Sequence, residues 1–87
     1  MGRLINIGYG NLVNSDRIIS VIRPDASPVK RMVQAAKDSG TCVDATCGRK
    51  CKAVLLTDIG HVVLSALLPD TIANRFNQKD IHEEGDL

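Results

Sequence analysis

Apolar residues recur along this chain in short, β-branched runs broken by Gly, Pro, Asn and Asp, with helical spacing in only two places. Leu4-Ile5-Asn6-Ile7 reads as a strand that stops at the turn-rich Gly8-Tyr9-Gly10-Asn11. Leu12-Val13 opens a second extended piece, and Asn14-Ser15-Asp16 reads as another turn. Arg17-Ile18-Ile19-Ser20-Val21-Ile22 is strand-like and ends at Arg23-Pro24. Ser27 is then expected as a helix N-cap, with Pro28 at the first helical position, where a missing N–H costs nothing. Val29, Met32, Val33 and Ala36 follow at i, i+3, i+4 and i+7 on one face, and Gly40 closes the helix. Beyond it, Thr41-Cys42-Val43-Asp44 is another strand. Ala53–Thr57 and His61–Ser65 flank Asp58-Ile59-Gly60 as a hairpin with a three-residue loop. Pro69 begins a short second helix holding Ile72, Ala73 and Phe76. The pattern predicts an α+β domain: a small antiparallel sheet, one main helix and a short C-terminal helix.

At 87 residues the chain has room for one domain, expected over 1–79, followed by a flexible tail over 80–87. Tyr9 and Phe76 are its only aromatics, so Val, Ile, Leu and Ala must build the core. A domain this small buries about 60–65% of its unfolded surface, and a homo-oligomer is a common way to bury more. No run of about 18 apolar residues is present, so no membrane span is expected. Without an early apolar segment, the expected location is the cytoplasm. The net charge of +1 hides an asymmetry: the first 79 residues carry all 11 Lys and Arg but six of the ten acids. Asp80, Glu83, Glu84 and Asp86 fall in the tail, leaving a basic body that favours polyanionic partners.

That charge is concentrated in Cys47-Gly48-Arg49-Lys50-Cys51-Lys52, which lies between two strand-like runs. A glycine-led turn projects its side chains away from a sheet, and Arg49, Lys50 and Lys52 suit such a turn to gripping phosphate. The bland alternative is a solvated hairpin tip. Arg17, at a strand start after its own turn, is by itself an ordinary exposed arginine. If the two loops meet, it completes one cationic surface with them. Gly8-Tyr9-Gly10-Asn11 lacks the spacing and lysine of a phosphate loop and reads as a tight turn. His61 and His82 have no serine or carboxylate at catalytic spacing, so neither an enzyme nor a small-molecule substrate is expected. Cys42, Cys47 and Cys51 are odd in number and lack the C-x-x-C knuckle of structural zinc, so packing is the favoured role, with no metal or cofactor.

Several segments together resemble the RemA family. They are Ile5–Asn11, Asp16–Ser20, Ser27–Met32, Asp44–Lys50, His61–Ala66 and Pro69–Ala73, collinear over about residues 4–76. The resemblance implies a bacterial transcriptional regulator linked to biofilm-matrix genes, with a fold similar to LytTR DNA-binding domains. It also implies a ring-like homo-oligomer that binds double-stranded DNA through repeated basic contacts. By position, Arg17 and Arg49 match basic residues the family uses on DNA, and Pro28 matches a helix-start proline associated with subunit packing. Lys50 stands where a second arginine is usual, which keeps the charge and loses the bidentate fork. Cys47 replaces a usual aromatic, and Cys51 falls at a usually polar position.

The reading that results is a non-catalytic DNA-binding regulator using Arg17, Arg49, Lys50 and Lys52. The alternative is a cytosolic oligomeric scaffold whose basic turn grips an acidic protein; steep salt dependence of duplex DNA binding separates the first reading from it. A thiol or metal response through the three cysteines would show as stoichiometric zinc or thiol-dependent binding.

Overall fold

A computed structural model describes residues 3–77; the acidic tail and His82 lie outside them. Strands β1 (Leu4–Asn6) and β2 (Leu12–Asn14) form a small antiparallel hairpin. A single 3₁₀ turn over Ser15–Arg17 follows, so the strand expected from Arg17 begins one residue later, as β3 (Ile18–Ile22). After it come α1 (Ser27–Ser39), β4 (Cys42–Asp44), β5 (Ala53–Thr57), β6 (Val62–Ser65) and α2 (Pro69–Phe76). The second sheet has the order β3-β5-β6-β4.

Two expectations are corrected. The sheet is not antiparallel throughout, because β4 pairs with β6 in parallel. β3 is antiparallel to β5, and β5 to β6, so β3 and β4 run the same way at opposite edges. A parallel relation needs a long crossover, which the 13 residues of α1 supply. The second correction concerns Ser27, which lies inside the helix while Ala26 is the cap, with no side-chain capping bond. The Lys30 amide donates to the Ala26 carbonyl at 3.0 Å and closes the first helical turn one residue early. Pro28 is thereby the second helical residue, one place later than expected, and Gly40 ends the helix with a left-handed φ of 75°.

Both faces of the four-stranded sheet are covered. Val54, Val62 and Leu64 meet Val29 and Ala36 of α1 on one side. Ala53, Leu55 and Val63 point to the other, where Ile7 of the N-terminal hairpin region and Ile72 of α2 close over them. This alternation explains why β5 and β6 read as unbroken apolar runs: each is a central strand buried on both faces. Leu55 and Ile72 are wholly buried. Truncating Leu55 to Ala should cost about 2–5 kcal/mol through lost burial and the cavity left behind.

Polar contacts lock the N-terminal hairpin to this core. The buried Ser65 hydroxyl donates to the Ile7 carbonyl at 2.7 Å and accepts from the Leu67 amide at 3.1 Å. Arg3 donates to the Arg75 and Phe76 carbonyls at the end of α2, while Arg75 donates to Asn6. Gly8 has φ +111°, and a Cβ there would come within 3.1 Å of Leu67. Only glycine lets the chain pass so close at that angle. The hairpin's tip is therefore fixed in place.

Candidate nucleic-acid interface

The basic segment is not the tip of a hairpin. Its flanking strands β4 and β5 are not neighbours, since β6 lies between them. Residues 45–52 instead cross the C-terminal end of β6. They are pinned on one side by the Ala45 amide donating to Leu64 and on the other by the Lys52 amide donating to Ser65. Asp44 braces the start of the crossing, accepting from the Thr46 hydroxyl at 2.6 Å and the Thr46 amide at 2.9 Å. These bonds hold its carboxyl below the usual aspartate range.

Within the crossing, the Arg49 amide donates to the Thr46 carbonyl at 3.0 Å, with φ +55° at Cys47 and +80° at Gly48. Positive φ at both central residues is the signature of a type I′ turn. Gly8–Asn11 repeats it: Asn11 donates to Gly8 at 3.0 Å, with φ +54° at Tyr9 and +83° at Gly10. The two turns touch. The Asn11 side-chain amide donates to Gly8 at 3.0 Å and to Ala45 at 3.2 Å, and it reaches the Cys47 sulfur at 4.0 Å. The Arg49 guanidinium lies over the Tyr9 ring, 4.0 Å from its centroid.

Arg49, Lys50 and Lys52 are exposed. Among the described residues, the ion pairs are Arg17–Asp58 and Arg23–Asp25, so these three cations have no carboxylate partner there. The antiparallel register of β3 on β5 sets Ile22 opposite Val54 and carries Arg23 to the same end of the sheet. Arg23, Lys50 and Lys52 line one open cleft of about 410 Å³ together with the carboxylates of Asp25 and Asp70, the latter on the start of α2, which closes its far side. Sequence reasoning missed both Arg23 and Tyr9. The strand register is the signal for the first; the second had no signal beyond a tyrosine where a tight turn prefers Asn or Gly.

Arg17 lies elsewhere. Its carbonyl accepts from the Asp58 amide beyond the far end of β5, while Lys52 sits before the near end. The five residues of β5 set those ends about 13 Å apart, so within one subunit Arg17 does not join the other cations in a single patch. Pro28 is exposed beside the buried Val29 on the first turn of α1, open to a neighbour. Cys47 is exposed, whereas Cys42 and Cys51 are half-buried against the α1 side of the sheet. Burial pushes the Cys51 thiol up, and its S–H donates to the Ala53 carbonyl at 3.4 Å. His61 lies just before β6, where its amide donates to the Thr57 hydroxyl at 3.0 Å. No described helix is long and apolar enough to cross a membrane.

The family model described as "RemA-like: Extracellular matrix regulatory protein A-like" matches residues 4–76. A protein of Lachnoclostridium phytofermentans is 68% identical over 87 residues, covering 100% of this chain and 96% of the relative. One of Pseudothermotoga lettingae is 50% identical over 84 residues, covering 97% and 92%. One of Geobacillus thermodenitrificans is 50% identical over 86 residues, covering 98% and 99%. The names given to all three assign a regulatory role without saying what is regulated. With nearly the whole of its described fold inside the match, this chain belongs to the RemA-like family of regulatory proteins.

Proposed function

We propose that the chain is a DNA-binding transcriptional regulator of the biofilm-matrix type, without catalysis, acting as a ring-like homo-oligomer in the cytoplasm on the nucleoid. The LytTR-like character of the fold belongs to this reading, as do contacts from Arg17, Arg49, Lys50 and Lys52 to duplex phosphates. One observation carries it: a crossing loop tied at both ends to β6 presents three exposed cations that form no ion pair with a described carboxylate. A loop fixed in this way loses little entropy when it meets a charged backbone, so its cations are ready for phosphate.

Two or three contacts per subunit bind duplex weakly, because each phosphate contact changes log K by only about −0.9 per unit of log salt. Several linked subunits raise the effective concentration and supply the missing affinity. Curving DNA along an assembly costs about 1–6 kcal/mol, less for flexible sequence, so spacing and bendability would then shape preference. Exposed Ile19 and Val43, on the two edge strands β3 and β4, and exposed Pro28 support assembly, since each offers apolar surface that a neighbour can cover.

The test is a duplex titration by anisotropy, with circular dichroism and light scattering on the same samples. Arg49→Ala is expected to lose at least tenfold in affinity while staying folded and assembled. Lys50→Ala, which removes a single point contact, should lose only a few-fold. Unchanged affinity in Arg49→Ala would remove the central residue of this reading.

A further inference from the structure

We propose that Tyr9 is a positioning residue of the phosphate-binding face, its ring acting as the platform that aims the Arg49 guanidinium. This rests on the DNA-binding reading and adds to it a residue from the N-terminal hairpin, 40 positions away in the chain. The guanidinium stacks 4.0 Å from the Tyr9 ring centroid, and its Nη1 donates to the Cys47 carbonyl at 3.3 Å. A plane held on one face by a ring and on one edge by a carbonyl keeps its remaining N–H donors turned to solvent. That is the geometry a phosphate needs from arginine, set before any DNA arrives.

The backbone points the same way. Tyr9 holds a φ of +54°, which a residue with a Cβ adopts at a cost and which Asn or Gly would adopt more easily. Its ring is about half exposed, with 52% of the residue accessible, so core packing does not account for an aromatic at this angle. The turn is also locked against the Arg49 turn by the Asn11 amide on Ala45. Strain at an exposed position, joined to a specific contact with the principal cation, marks a place where the side chain is needed for its face.

Three variants decide it. Tyr9→Gly removes the ring while suiting the positive φ, so folding and assembly are expected to survive. Tyr9→Phe keeps the ring and removes only the hydroxyl. An exposed cation–π contact is worth about a two- to five-fold change per site. On a long duplex that spans several subunits these factors multiply, and Tyr9→Gly should lose about tenfold or more. Tyr9→Phe should stay within about two-fold of the parent, the scale of an unaltered platform. Because the ring works through Arg49, Tyr9→Gly combined with Arg49→Ala should bind no worse than Arg49→Ala alone. If Arg49→Ala weakens binding and a folded Tyr9→Gly does not, this inference fails and the DNA-binding reading stands. It also fails if Tyr9→Phe is as weak as Tyr9→Gly, or if the double variant loses the full product of both effects. If Arg49→Ala itself leaves affinity unchanged, the DNA-binding reading is what fails.

Discussion

Asp58 holds Arg17 by its Nε, with one carboxylate oxygen at 3.0 Å and the other at 3.1 Å, both residues roughly half exposed. The carboxylate occupies the guanidinium as a phosphate would. Arg49, by contrast, is held by a ring and a carbonyl and has no ion-pair partner among the described residues. The two arginines that the RemA resemblance puts on DNA are thus prepared differently. Exposed pairs of this kind are worth about 0–1 kcal/mol, so DNA can displace Asp58, at some loss. Asp58→Asn is expected to strengthen duplex binding by about two- to five-fold, a change within that same energy range. Titration at fixed salt checks this; weaker binding would mean that Asp58 matters more for aiming Arg17 than for masking it.

Pro28 gives the second prediction. Its ring fixes the backbone at the start of α1, and the residue faces solvent in the single subunit. Pro28→Ser should leave the circular dichroism spectrum intact and lower the mass seen by light scattering. Tight binding to a long duplex should fall with the mass, toward the non-specific range of roughly 10⁻⁴–10⁻⁶ M. Tight binding by a demonstrated monomer would remove assembly from the account.

Cys47 holds a φ of +55° at the first central position of its turn. Asn occupies that conformation with less strain, so Cys47→Asn should stabilise the fold by up to about 1 kcal/mol. For a domain of this size that is about 4–8 °C in Tm at most. A fall in Tm would show that the sulfur's contact with Asn11 outweighs the strain.

The thiols should separate by alkylation. Cys47 is exposed, whereas Cys51 is half-buried and its thiol is pushed up by that burial. The thiolate is the reactive form, so a raised value means less of it at a given pH. Iodoacetamide near pH 7 should label Cys47 first. Cys51 should begin to react only as the pH rises past the ordinary thiol value of about 8.5. Mass spectrometry of digested samples checks the order, and equal rates at neutral pH would contradict it.

Most of the elements are legible in the sequence because local signals agree there. The i, i+3, i+4, i+7 face of α1 and its closing Gly40 both survive in the structure. So does the hairpin of β5 and β6 around Asp58-Ile59-Gly60. What the sequence hides is which strands become neighbours. β4 and β5 follow one another in the chain and are yet separated by β6, a non-local arrangement that no local periodicity encodes. That hidden separation leaves a hairpin tip open as an alternative for Cys47–Lys52 in the sequence, and the strand order removes it. The same non-local packing brings Arg23 to Lys50 and Lys52, sends Arg17 to the opposite end of β5, and puts Tyr9 beneath Arg49. The cations of the candidate site could be named from the sequence, but their grouping could not.

The most direct measurement is the affinity of the unmodified protein for a long duplex as salt is raised from about 50 to 200 mM, the range over which counterion release is read. One subunit offers at most five candidate cations, Arg17, Arg23, Arg49, Lys50 and Lys52, and five phosphate contacts give a slope no steeper than about −4.5. The account predicts binding at low salt that falls more steeply than this, because several subunits engage one duplex. No binding at low salt, or an affinity indifferent to salt, would contradict DNA recognition through these residues. A slope within the single-subunit limit would contradict the assembly that the account requires.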